Sequence, residues 1–132
     1  VCLENVSENY SLIALQGPKS REILSKFTDV NLKMPFYSYM DGIVCECSVM
    51  VSRTGYTGEL GFEIYGDNNS IVYIWNELVN AGAKPAGLAA RDILRMEMKY
   101  CLYGNDIDDT TNPIEAGLSW LIALDKEEFI GL

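Results

Sequence analysis

Histidine is missing from this chain of 132 residues. Its absence excludes catalytic-triad chemistry, and no Cys-x-x-Cys pair is present either, so zinc has no ordinary ligand set. Basic residues are few: ten Lys and Arg stand against nineteen Asp and Glu, a net charge of −9. Nucleic-acid phosphates would be repelled by such a surface rather than neutralised. No apolar run approaches the ~18 residues of a membrane-spanning helix. No secretory signal, P-loop, dinucleotide fingerprint, internal repeat, low-complexity tract or linker is found. The four cysteines, at positions 2, 45, 47 and 101, are too sparse for a disulfide scaffold and read as reduced, mostly buried thiols. Cys45 and Cys47 fall two apart in a strand-like run, which predicts one shared side of a sheet. With 48% apolar and 22% charged residues, the chain can bury one core. A single domain over 1–132 is expected.

What the chain does have is glycine in a telling place. Arg53-Thr54-Gly55-Tyr56-Thr57-Gly58-Glu59-Leu60-Gly61-Phe62-Glu63-Ile64 joins two strand-like runs through a loop rich in glycine. Such a loop turns sharply and lets another group approach its backbone closely. It carries a flat ring, Tyr56, and a carboxylate, Glu63. Those two suit a planar heterocycle with paired N–H donors, although a plain turn with a core tyrosine and a solvated glutamate has the same sequence signature.

Strands are expected over 10–16, 43–52, 61–65, 84–87 and 118–124. Gly17-Pro18 opens a helix over 19–28, whose apolar stripe is Ile23, Leu24 and Phe27. Residues 29–42 read as irregular, with Asp41-Gly42 as a turn. Asp67, Asn68, Asn69 and Ser70 offer caps for a second helix with Ile71, Ile74, Trp75, Leu78 and Val79 at helical spacing, stopped at Gly82. A third helix covers 88–99. The order strand, helix, strand, strand, helix, strand predicts an α+β fold of the ferredoxin-like split βαβ (βαββαβ) type, with two helices on one face and a helical and looped C-terminal extension.

Further segments follow: Ala86-Gly87-Leu88-Ala89-Ala90-Arg91-Asp92-Ile93-Leu94-Arg95-Met96-Glu97, then Cys101-Leu102-Tyr103-Gly104-Asn105-Asp106-Ile107-Asp108, Pro113-Ile114-Glu115-Ala116-Gly117-Leu118-Ser119-Trp120, and Phe129-Ile130-Gly131. With Leu12-Ile13-Ala14-Leu15-Gln16-Gly17-Pro18 at the start, this order and spacing resembles the glycine-cleavage system T-protein, a tetrahydrofolate-dependent aminomethyltransferase. The resemblance runs through nearly the whole chain and implies the middle part of such an enzyme, so its ends are not expected to be natural ends. It implies transfer of a one-carbon unit from an aminomethyl group on lipoylated H-protein to tetrahydrofolate, with release of ammonia. It further implies a bacterial cytoplasmic or mitochondrial-matrix setting, with no nucleic-acid or membrane partner.

The same resemblance assigns cofactor-binding roles to Tyr56, packed on the pterin ring, to Glu63, accepting from its N–H edge, and to Arg91 in the same set. Arg91 stands near a helix start, where the macrodipole disfavours a cation, so a partner such as Glu63 or an anionic ligand is expected. No catalytic residue is assigned, because the family's essential aspartate lies upstream of the matched region, and the isolated chain is expected to fold without activity. Arg95 and Glu97 are expected on the helix surface, and Trp75 and Trp120 in packing roles. Asn105, Asp106, Asp108 and Asp109 lack the glycine and terminal glutamate of a calcium loop; Asp106 and Asp108 read as turn and capping groups. An exposed apolar patch is expected near Leu102, Tyr103, Ile114 and Leu118. Two rivals share the folate chemistry: the folate domain of a demethylase such as sarcosine or dimethylglycine dehydrogenase, and a non-catalytic folate-binding protein of iron–sulfur maintenance. The latter's Lys-Gly-Cys-Tyr-x-Gly-Gln-Glu signature is not matched by Cys101-Leu102-Tyr103-Gly104-Asn105-Asp106.

Overall fold

The computed structural model describes residues 1–128, and its contacts divide into two compact units, Val1–Met98 and Lys99–Leu132. The first unit is built on a four-stranded antiparallel sheet of β1 (Tyr10–Gln16), β2 (Tyr39–Val44), β3 (Cys47–Ser52) and β4 (Gly61–Asp67), in the order β1-β4-β3-β2. Helices α1 (Ser20–Leu24), α2 (Asn68–Asn80) and α3 (Leu88–Glu97) complete it.

Alternation along the strands selects the core. Ile13 and Leu15 lie opposite Ile64 and Phe62, and Val51 opposite Ile64, so these side chains share one face. They meet Ile23 and Leu24 of α1 and Ile71, Ile74 and Leu78 of α2 in one cluster, with Phe62, Ile64 and Ile74 fully buried. On the other face, which carries Leu12, Ile43, Glu63 and Tyr65, Leu12 and Ile43 are exposed and Glu63 and Tyr65 half-buried. Helix α2 starts where the sequence signals it: Asp67 accepts from the backbone N–H of Asn69 and Ser70 at 3.0 and 3.1 Å. The chain then stops it at Gly82, with φ +105°.

The α+β class and the antiparallel sheet with helices on one face agree with the expected fold, and the ferredoxin-like split arrangement is met loosely. The differences are local. The strand expected at 84–87 is absent, because Pro85 has no N–H for a ladder and Gly87 is the N-cap of α3. The long strand at 43–52 is a hairpin instead: Cys45 and Glu46 turn with φ of +49° and +65°, between Val44 and Cys47. The two cysteines therefore do not share a strand. Asp41-Gly42 is no turn but the middle of β2, and its glycine is required because a Cβ there would meet Val30 at 2.2 Å. Helix α1 ends at Leu24, four residues early; Phe27 still packs on the core from the turns that follow.

The described residues of the second unit form no strand. Where 118–124 was expected to extend, Ser119–Leu121 forms a single 3₁₀ turn behind Gly117, and the Leu118 N–H turns back to the Pro113 carbonyl at 2.7 Å. Trp75 and Trp120 are 41% and 74% exposed, so neither is a core residue.

Candidate functional site

The 53–60 loop is tied down at three places. At its base, Arg53 pairs its backbone with Tyr37 and Ser38, and its Nη1 donates to the Met34 carbonyl at 2.7 Å. At its far end the Leu60 carbonyl accepts from the Gly17 N–H at 2.8 Å and the buried Ser20 hydroxyl at 3.0 Å. Between them lies the side chain of Gln16, the last residue of β1. Its Nε2 donates to the carbonyls of Thr54 and Phe62, each at 3.2 Å, and its Oε1 accepts from the Thr57 hydroxyl at 3.2 Å. A Cβ at Gly55 would fall 2.0 Å from that Oε1, and one at Gly61 2.1 Å. The loop's glycines thus admit a close approach, as their density suggests, but the approaching group at Gly55 and Gly61 is the protein's own amide, and at Gly58 it is the Met98 side chain.

Beyond this tie, the loop and α3 meet. The Arg91 guanidinium lies over the Tyr56 ring, 4.7 Å from its centroid. Arg91 is the fourth residue of α3, where the helix dipole is unfavourable to a cation, and the negative face of the ring compensates it. Glu63, on β4, is not its ion partner; on the same helix as Arg91, Arg95 pairs with Asp92 at 2.7 Å.

Glu63 belongs to a polar chain of its own. Its Oε2 accepts from the Thr54 hydroxyl, whose oxygen lies 2.6 Å from Ser52 Oγ. Because Thr54 spends its single proton on Glu63, Ser52 donates to Thr54. The Tyr65 hydroxyl reaches the same Oε2 at 3.5 Å, a long contact, and burial first, then the Glu63 charge, pushes the Tyr65 phenol above its ordinary value. Hydroxyls thus orient the carboxylate through one oxygen.

Tyr56, Glu63 and Arg91 accordingly stand on one loop, its following strand and the helix that touches it. The residues that the sequence did not flag are Gln16, Thr54 and Arg95. Arg95, expected on the surface, is 3% exposed and paired with Asp92, while Leu88, Ile93 and Met96 of the same helix are exposed. A glutamine closing an apolar strand directly before Gly-Pro was the available hint for Gln16. In the second unit, Asp106 accepts from the Leu102 N–H at 3.0 Å, and Asp108 accepts from Thr110 and Thr111, as turn groups do. Tyr103 and Ile114 are exposed and Leu102 and Leu118 half-buried. Phe129-Ile130-Gly131 lies outside the described residues.

Residues 1–126 match the family described as the GCVT N-terminal domain. An aminomethyltransferase of Halothermothrix orenii is 52% identical over 132 residues, which are 96% of this chain and 37% of that protein. One from Chloroherpeton thalassium is 51% identical over 136 residues, covering 99% of this chain and 38% of its own length. The chain thus spans little more than a third of these relatives. The crystal structure of the glycine cleavage system aminomethyltransferase T from Bartonella henselae is similar in fold, with a TM-score of 0.56 at 22% identity, over 91% of this chain and 57% of that one.

Proposed function

The chain belongs to the GCVT N-terminal domain family, and from that premise we propose that residues 1–132 are the central, folate-binding part of an aminomethyltransferase of the glycine cleavage system. The whole enzyme takes a one-carbon unit from aminomethylated, lipoylated H-protein and passes it to tetrahydrofolate, releasing ammonia. The observation that carries this reading is the Arg91 guanidinium over Tyr56, on the loop that leads into Glu63.

The residues fit a reduced pterin. Glu63 is an acceptor whose Oε2 is steadied by Thr54, while its Oε1 accepts no hydrogen bond from the described residues, which leaves it open to a ligand's N–H groups. Tyr56 is a flat ring of the kind on which a pterin packs, and Arg91 over it fixes its orientation. Arg91 also brings positive charge to a chain of net −9, where an anionic folate would otherwise be opposed. Bound tetrahydrofolate supplies the amine that receives the one-carbon unit. The chain's own part is to hold and orient, which lowers the entropic cost of transfer. It holds no histidine to protonate the departing amine, so the isolated chain is expected to lack turnover.

The test is calorimetric. In the longer enzyme, Glu63→Gln is expected to weaken folate binding by about 2–4 kcal/mol, since an amide leaves the ligand's donors poorly matched. Arg91→Ala should act comparably. Unchanged binding in both variants would remove the site.

A further inference from the structure

We propose that Gln16 is the positioning residue of this loop: its amide, lodged between Gly55 and Gly61, fixes residues 53–60 and thereby sets the Tyr56 ring against Arg91. The proposal rests on the folate reading above only for its functional consequence; its structural part stands apart from any ligand.

Three observations carry it. The amide uses both of its N–H donors and one acceptor on three separate points of the loop and its exit, the carbonyls of Thr54 and Phe62 and the hydroxyl of Thr57. Thr54 and Thr57 bracket Tyr56 in sequence, so a single side chain defines the span that presents the ring. The two glycines exist for this amide rather than for the backbone. Gly55 and Gly61 are absent from the positive-φ residues, so an L side chain suits their conformation, and the three atoms nearest to a Cβ at either position all belong to the Gln16 amide, led by its Oε1 at 2.0 and 2.1 Å. Glutamine is also the fitting residue type. A glutamate would aim a carboxylate at two carbonyls, a methionine would fill the space without donating, and an asparagine is one methylene short. Thr54 in turn donates to Glu63, so the same amide steadies the group that orients the carboxylate.

The experiment combines spectroscopy with a double-mutant cycle on the 132-residue chain. An arginine over a tyrosine ring shows ring-current-shifted side-chain resonances; Tyr56→Leu should abolish the shift at Arg91, and Gln16→Met should reduce it by half or more. A full shift in folded Gln16→Met overturns the proposal. Gly55→Ala should lower the folding equilibrium constant about tenfold to a hundredfold in the native background, as overpacking does, but by less than about threefold in Gln16→Ala, where the space is vacated. Equal penalties in both backgrounds also overturn it. Titration of the longer enzyme with 5-formyltetrahydrofolate separates the two readings. An enzyme that binds it normally but is unaffected by Gln16→Met refutes positioning and leaves the proposed function standing. A native enzyme that binds none refutes the folate site, while the ring shift and the cycle still decide the role of Gln16. An approximately tenfold weaker affinity in Gln16→Met, with the ring shift lost, supports both.

Discussion

Between Val1 and Met98 lies every apolar side chain of the core, from Ile13 to Leu78, whereas no described residue from 99 to 128 is buried. Composition does not explain the contrast, because the second unit has its own large apolar residues: Tyr103, Ile114, Trp120, Leu121 and Leu124, all between 59% and 74% exposed. What differs is the reach of the hydrogen bonds. In the first unit β1 pairs with β4 across the chain, Tyr10 with Asp67 through Gln16 with Gly61, and brings distant apolar residues onto one face. In the second, backbone bonds among the described residues such as Gly104 to Ile107 and Leu118 to Pro113, and the turn bond from Thr110 to Asp108, are short-range. Local turns satisfy polar groups but gather no core; long-range pairing does both.

The largest expected effect tests that contrast directly. Each unit holds one tryptophan, Trp75 in the first and Trp120 in the second, so single-tryptophan variants report the two separately. Phe62→Ala should cost about 3–5 kcal/mol in the denaturant transition seen by Trp75, as the loss of a fully buried aromatic does. Ile114→Ala, at 61% exposed, should shift the Trp120 signal by no more than about 0.5 kcal/mol. Equal costs would erase the distinction between the units.

Acid sharpens it at intermediate scale. Asp67 is held below its ordinary value chiefly by the Ser70 hydroxyl and then its N–H, and Asp108 by the Thr110 hydroxyl and then its N–H. Both are depressed carboxylates, so the stability they confer is present above the unfolded value of 3.8 and is lost as pH falls through the lower folded value. Protonating Asp67 uncaps a helix that lies on the core, so far-UV circular dichroism should fall and Asp67→Asn should blunt the change. Protonating Asp108 should move only the Thr110 and Thr111 amide resonances.

The smallest effect concerns a thiol. Burial first, then Glu77 and Cys47, pushes Cys45 up to about 11 from 9.0. Its raised value favours the folded state fully below pH 9.0, an advantage lost as pH rises toward about 11. The urea midpoint should decline across that window, less steeply in Cys45→Ala. At pH 8, iodoacetamide should modify exposed Cys2 at least about tenfold faster than Cys45. Comparable rates would contradict the burial of Cys45 in the β2–β3 turn.

Elements with strong local signals were legible beforehand. α2 announces itself by the Asp67 cap and by Ile71, Ile74 and Leu78; β1 and β4 by their alternation. The β2–β3 hairpin was hidden because its turn residues, Cys45 and Glu46, are not the usual glycine or asparagine, and the run from Ile43 to Ser52 reads as one strand. In the site, Tyr56, Glu63 and Arg91 were expected in one set, but the group facing Arg91 was not foreseen. A ring, rather than the Glu63 carboxylate, faces its guanidinium.

The sequence by itself determined the cap and stop of α2, its apolar face, the loop's glycine content and the absence of histidine chemistry, since each depends on residue type and near neighbours. Only the tertiary structure decided what the glycines of the loop accommodate and which arginine is buried. The amide that fills the space beside Gly55 reaches Thr54 from 38 positions away. Arg95 rather than Arg91 is enclosed, although both stand in one short helix. Spacing along a helix tells which residues share a face; it cannot tell which face the rest of the chain will cover.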